Sequence, residues 1–138
     1  MTDFSTQAAE ATLRMRKLFP ATPLQRNDYL SLAYDADIWL KREDLSPVRS
    51  YKLRGAYNAM SKQMDKQVFV CASAGNHAQG VAFVCRHMCK NGVIFMPVTT
   101  PQQKINKTKL FGGEWVEVRL VGDYFDDTLR ASQAYCSE

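Results

Sequence analysis

The chain carries 138 residues, 46% of them hydrophobic, 11% aromatic and 23% charged, a balance that suits a folded core and excludes a disordered chain. No apolar run approaches the roughly 18 residues of a membrane-spanning helix, and Asp3 and Glu10 stand where a secretory leader would be free of acidic charge. Eighteen Lys and Arg against 14 Asp and Glu give a net charge of +4 without a block of like charge, which offers little grip to nucleic acid or an anionic membrane.

The four cysteines (Cys71, Cys85, Cys89 and Cys136) are too few for a disulfide framework at this length, so a soluble, cytoplasmic protein is expected. In chain order, Phe4 to Phe19 is Ala-rich and weakly patterned, a helix closed by Pro20. Ala21 to Leu24 is an extended pre-proline stretch. Asn27 then caps a short helix through Leu30 and Leu32. Ile38–Leu40 reads as a strand entering the charged run Lys41-Arg42-Glu43-Asp44, whose closely spaced signs suit an ion-pair network. Ser50 is placed to cap a helix through Leu53, Ala56, Tyr57 and Met60.

From residue 67 the rhythm becomes regular. Val68–Cys71 and Val93–Met96 are short apolar runs, as expected of strands buried on both faces. Between them Ala78, Val81, Val84, Cys85 and Met88 recur at helical spacing. Thr100-Pro101-Gln102-Gln103 supplies an N-cap, a first-turn proline and a capping-box partner for a helix that stops at Gly112-Gly113. Trp115 to Val121 is a third strand, and Asp123 caps a last helix. Strands alternating with helices imply right-handed crossovers and a parallel sheet, an α/β fold.

Two segments carry chemistry. Cys71-Ala72-Ser73-Ala74-Gly75-Asn76-His77-Ala78-Gln79-Gly80 leaves a strand and opens a helix, which puts it at the carboxyl edge of a parallel sheet. Small residues let a ligand approach the backbone, and the first helical amides form an anion site. The spacing matches neither a GxGxxG dinucleotide loop nor a P-loop, so a carboxylate suits it better than a pyrophosphate. Tight strand–helix packing is the plainer alternative. In Ser50-Tyr51-Lys52-Leu53-Arg54-Gly55-Ala56, a desolvated Lys52 could form a Schiff base; a solvated helix lysine is the plainer alternative.

Lys41 to Leu45, Ser50 to Ala56 and Ser73 to Gly80, in that order, resemble the fold type II pyridoxal-phosphate enzymes and among them the threonine dehydratases. Thr22-Pro23-Leu24 and Phe125-Asp126-Asp127 resemble that family too. The resemblance implies a three-layer αβα architecture like the β subunit of tryptophan synthase. Residues 1–65 would belong to the large cofactor domain and residues 66–138 to most of the small α/β domain. It implies pyridoxal 5'-phosphate as cofactor, held by Lys52, with Asn76 orienting its ring and Tyr51 packing beside it. Ser73, Ala74, Gly75, Asn76 and His77 would hold the substrate, an L-threonine or alternatively an L-serine. The activity implied is α,β-elimination to a 2-oxo acid and ammonia, with Lys52 as the catalytic base and a homo-oligomer as the usual assembly. The stretch Thr22 to Asp28 resembles the form that serves isoleucine biosynthesis.

Single positions refine this. Serine racemase-like relatives place a Ser where Ala74 stands, and a methyl group cannot transfer a proton, so elimination is favoured over racemisation. Cys85, His87 and Cys89 form no convincing metal set, because Cys85 belongs to the apolar stripe and no second ligand pair exists. The family's glycine-rich phosphate loop has no counterpart here and the last helical pattern ends without a cap. A truncated enzyme, inactive alone, is therefore expected; a non-catalytic remnant or association module and a serine dehydratase or racemase relative are the alternatives.

Overall fold

The computed structural model describes residues 3–137. They divide into two compact units, Met1–Tyr51 and Lys52–Glu138. In the first, helix α1 (Phe4–Leu18) is capped by Asp3, whose Oδ1 accepts the Ser5 N–H at 2.7 Å. Strand β1 (Leu24–Arg26) pairs antiparallel with β2 (Trp39–Lys41), and Leu24 lies opposite Lys41. Between them lies α2 (Asp28–Tyr34), where the Asn27 side chain caps as expected by accepting the Leu30 N–H at 2.9 Å.

The charged run is tied down by an ion pair and by hydrogen bonds to neutral groups. Arg42 grips Asp44 with Nε and Nη2 at 2.9 and 2.7 Å and donates from Nη1 to Gln25 at 2.6 Å. Lys41 donates to the Thr22 carbonyl, and the Thr22 hydroxyl donates to Glu43 at 2.5 Å. Ser50 does not open the next helix. It closes a buried turn in which Ser46 Oγ accepts the Ser50 N–H and donates to the Ser50 carbonyl, both at 3.0 Å.

The second unit begins with α3 (Lys52–Met60), which buries Leu53, Ala56 and Met60. Three strands, β3 (Val68–Ala72), β4 (Asn91–Met96) and β5 (Val116–Leu120), form a parallel sheet in that order. Each parallel step requires a crossover, supplied by α4 (Asn76–Met88) and α5 (Gln102–Gly112). α6 (Phe125–Ser137) follows β5.

Helices cover both faces of the sheet. A Cβ built on Gly92 would meet Cys85 of α4, whereas Phe95 meets Tyr135 of α6 with ring centroids 5.8 Å apart. Residues 92 and 95 differ by an odd number and so face opposite sides of β4. This is the expected three-layer αβα arrangement.

Two further expectations need correction. β3 is not buried on both faces: Val68 is 45% exposed and the rest of the strand is half-buried, because β3 lies at the sheet edge. Only the central β4 is buried continuously, from Gly92 to Met96. Thr100 does not cap α5; Pro101 occupies the cap position, and Thr100 Oγ1 is buried without a hydrogen-bond partner. The Gly112-Gly113 stop holds, with Gly113 at φ +58.

Ile94 at the centre of β4 is 0% exposed. Replacing it with Ala removes buried methyl groups and leaves a cavity, so urea unfolding should show a loss of about 2–5 kcal/mol.

Candidate active site

The loop between β3 and α4 stands at the carboxyl ends of the parallel strands, where the backbone of an α/β sheet opens toward a ligand. Its first residue is tied down: the Ser73 N–H donates to the Phe95 carbonyl of β4 at 3.0 Å. Ser73, Ala74 and Gly75 are half-buried, and Asn76 and His77 are exposed. The site is therefore open at the surface of the second unit.

Gly75 holds the N-cap position of α4 in an extended conformation (φ −135, ψ −149), and no side chain caps the helix. A Cβ built on Gly75 would meet nothing within 4 Å, so space lies directly over the helix start. The first amides of a helix lack partners within it, and the helix dipole makes them attractive to an anion. The Gly75 N–H is the exception among the expected amides, since it donates to Ser73 Oγ at a long 3.3 Å. With that lone pair engaged, the Ser73 hydroxyl keeps its own proton to donate.

Lys52 reaches this loop through the packing of α3 on α4. Gly80 lies one turn into α4, on the same face as Asn76. A Cβ there would stand 3.3 Å from the Lys52 carbonyl carbon and 3.3 Å from the Leu53 nitrogen. The backbone at the start of α3 is thus pressed against α4 just below the loop. Partial burial and, second, the Lys52 ammonium hold the His77 imidazole below its ordinary value of 6.5, so that charge lies within electrostatic reach of His77.

Lys52 is itself exposed, so the desolvated pocket that a Schiff-base lysine needs is not supplied by the described residues. Tyr51, immediately before it, is 60% exposed and belongs to the first unit. The structure thus brings together Lys52, Ser73, Ala74, Gly75, Asn76 and His77 within the second unit. The residues present suit a covalently held aldehyde cofactor and an anionic substrate group: a lysine beside an uncapped helix start with open space over Gly75.

Gly80 was part of the motif, but its contact with α3 was not read from the sequence. A glycine inside a helix, where it costs about 1 kcal/mol against Ala, is the signal that could have found it. The cysteines do not join the site. Burial pushes the Cys71 and Cys85 thiols up to about 12, which keeps both protonated and unreactive. Cys89 ends α4 in the left-handed region at φ 52. Among the described residues no group of three His, Cys, Asp or Glu side chains could hold a metal ion, and no helix is long and apolar enough to cross a membrane.

The lowered value of His77 means that folding favours its neutral ring. The associated stability is present above pH 6.5 and is lost as pH falls from there through the folded value. By NMR titration, Lys52→Met should raise the His77 midpoint part of the way back toward 6.5, because burial, the larger cause, remains. An unchanged midpoint would mean that Lys52 does not stand beside His77.

Comparison with known proteins gives the family. The family model for pyridoxal-phosphate dependent enzymes matches residues 16–138. The chain is 54% identical over 132 residues to the biosynthetic L-threonine dehydratase IlvA of Staphylococcus saprophyticus, covering 94% of this chain and 31% of that protein. The same figures hold for the Staphylococcus aureus protein of that name. The chain thus spans about a third of the length of these relatives. Among solved structures, the processed form of threonine deaminase isoform 2 from Solanum lycopersicum superposes with a TM-score of 0.83 at 33% identity, over 99% of this chain and 39% of that one. The diaminopropionate ammonia lyase of Escherichia coli, in complex with D-serine, gives 0.87 at 22% identity over 96% and 40%, a likeness of fold. Matched by the family model over nearly its whole length, the chain belongs to the pyridoxal-phosphate-dependent enzyme family.

Proposed function

We propose that this chain is the N-terminal part of a threonine dehydratase that converts L-threonine to 2-oxobutyrate and ammonia by α,β-elimination, in the formation of isoleucine. The observation that supports it best is the placing of Lys52 beside the uncapped start of α4, in a chain 54% identical to proteins of that name. A soluble homo-oligomer in the cytoplasm is the corresponding state of the complete protein. Residues 1–65 fall to its large domain and residues 66–138 to its small one.

In this reading each residue has a defined task. Lys52 would hold the cofactor covalently, and its amine, when free, would serve as the base that takes the Cα proton. Pyridoxal phosphate, when bound, supplies the sink for the electron pair left on Cα. The Ser73 hydroxyl, with the Ala74 and His77 amides at the positive end of α4, binds the substrate carboxylate. That fixes the amino acid by one end and leaves its Cα toward Lys52. The Asn76 amide, one turn above the Lys52 backbone, orients the ring. Tyr51 packs beside it. Ala74 offers no group to return a proton to the opposite face of Cα, so the β-hydroxyl is lost instead.

The test replaces the matching 132 residues of the Staphylococcus saprophyticus relative with those of this chain. The chimera should form 2-oxobutyrate from L-threonine, and Lys52→Ala should lower kcat by roughly 1,000-fold or more. Exchange of L- to D-serine should be minor beside elimination. Turnover that survives Lys52→Ala, or rapid racemisation, would contradict the assignment.

A further inference from the structure

The site residues lie on two elements, α3 and the loop that opens α4, so their geometry depends on how closely these two helices approach. At Gly80, which is buried and has no side chain, the two backbones approach closely. The Cβ of any other residue would stand 3.3, 3.3 and 3.4 Å from the Lys52 carbonyl carbon, the Leu53 nitrogen and the Leu53 Cα. These are backbone atoms in the first turn of a helix. They cannot swing aside as a flexible side chain would, so the helix start itself must move. Leu53 is 0% exposed on the buried side of α3, which leaves the helix no slack in that direction.

We propose that Gly80 is a positioning residue: its missing side chain is the seat for the Lys52–Leu53 backbone and sets where the Lys52 amine stands relative to Ser73, Asn76 and His77. The proposal rests on the reading of Lys52 as the cofactor lysine but makes a separate claim about this chain. A side chain at position 80 lifts the start of α3 away from α4 and carries Lys52 from the loop, while the loop keeps its own tie to β4 through Ser73 and Phe95. The effect grows with the size of the side chain. Gly55 provides the contrast, since it lies in α3 itself, yet a Cβ there would meet nothing within 4 Å.

Two readouts test this on the 138-residue chain, with Gly80→Ala, Gly80→Val and Gly55→Ala compared at equal helical content by circular dichroism. The first is the NMR titration of His77, whose imidazole senses the Lys52 charge. The second is the rate at which added pyridoxal phosphate develops imine absorbance that Lys52→Ala removes. The His77 midpoint should rise from wild type through Gly80→Ala to Gly80→Val, toward the Lys52→Met value. The imine rate should fall in the same order, by about three- to ten-fold at the first step, in keeping with the steep cost of misplacing a reacting group. Gly55→Ala should change neither. Should Gly80→Val fail to fold, Gly80→Ala against Gly55→Ala decides by both readouts. Folded Gly80 variants with an unchanged His77 midpoint, or with a moved midpoint and an unchanged imine rate, overturn the proposal. If the wild-type chain shows no imine that depends on Lys52, the cofactor reading fails, and the His77 titration alone judges the seat.

Discussion

Parallel pairing of β3 with β4 is the constraint from which the site follows. Two parallel neighbours cannot be joined by a hairpin, so the chain leaves β3 at its carboxyl end and returns through α4. That crossover turns the N-terminus of α4 outward at the sheet edge. The Ser73 amide, bonded to Phe95, fixes where the turn begins. Gly75 then leaves the helix start uncovered. Backbone topology thus presents the uncapped amides of a helix start at that edge before any side chain contributes.

The second requirement is a lysine brought to that edge from a different element. α3 lies against α4, and its buried stripe of Leu53, Ala56 and Met60 supplies the apolar area that holds it there. Stripe packing alone fixes the pair only to the width of a side chain. The close backbone approach at Gly80 fixes it more narrowly. In the proposed function, binding and chemistry thus fall to separate pieces of the fold, the start of α4 for an anion and the start of α3 for an amine.

Much of this was legible in the sequence, and the reasons differ by element. The strand–helix rhythm from residue 67 onward was readable because β4 is a continuous apolar run and α4 carries apolar residues at helical spacing. β1 was not read as a strand: three exposed residues, Leu24-Gln25-Arg26, carry no alternation to detect. The apolar run of β3 suggested burial on both faces, but an apolar run cannot distinguish a central strand from an edge one. Thr100 looked like a helix cap from its spacing, yet Pro101 took the cap position and left the hydroxyl buried inside. The loop Ser73 to His77 was readable as a strand-to-helix turn because strand, small residues and helix are consecutive. The role of Gly80 was not, since its partner lies 27 residues earlier and only tertiary packing joins them. Nor was the exposure of Lys52, which spacing alone cannot report.

The central claim is that Lys52, among all the lysines of this chain, is set to take up the cofactor aldehyde. Peptide mass mapping after treatment with pyridoxal phosphate and borohydride tests it most directly, at sub-stoichiometric cofactor so that lysines compete. The account predicts that the reduced adduct is concentrated on the peptide containing Lys52. Label spread over exposed lysines such as Lys62, Lys66 and Lys104, with no preference for Lys52, would contradict it.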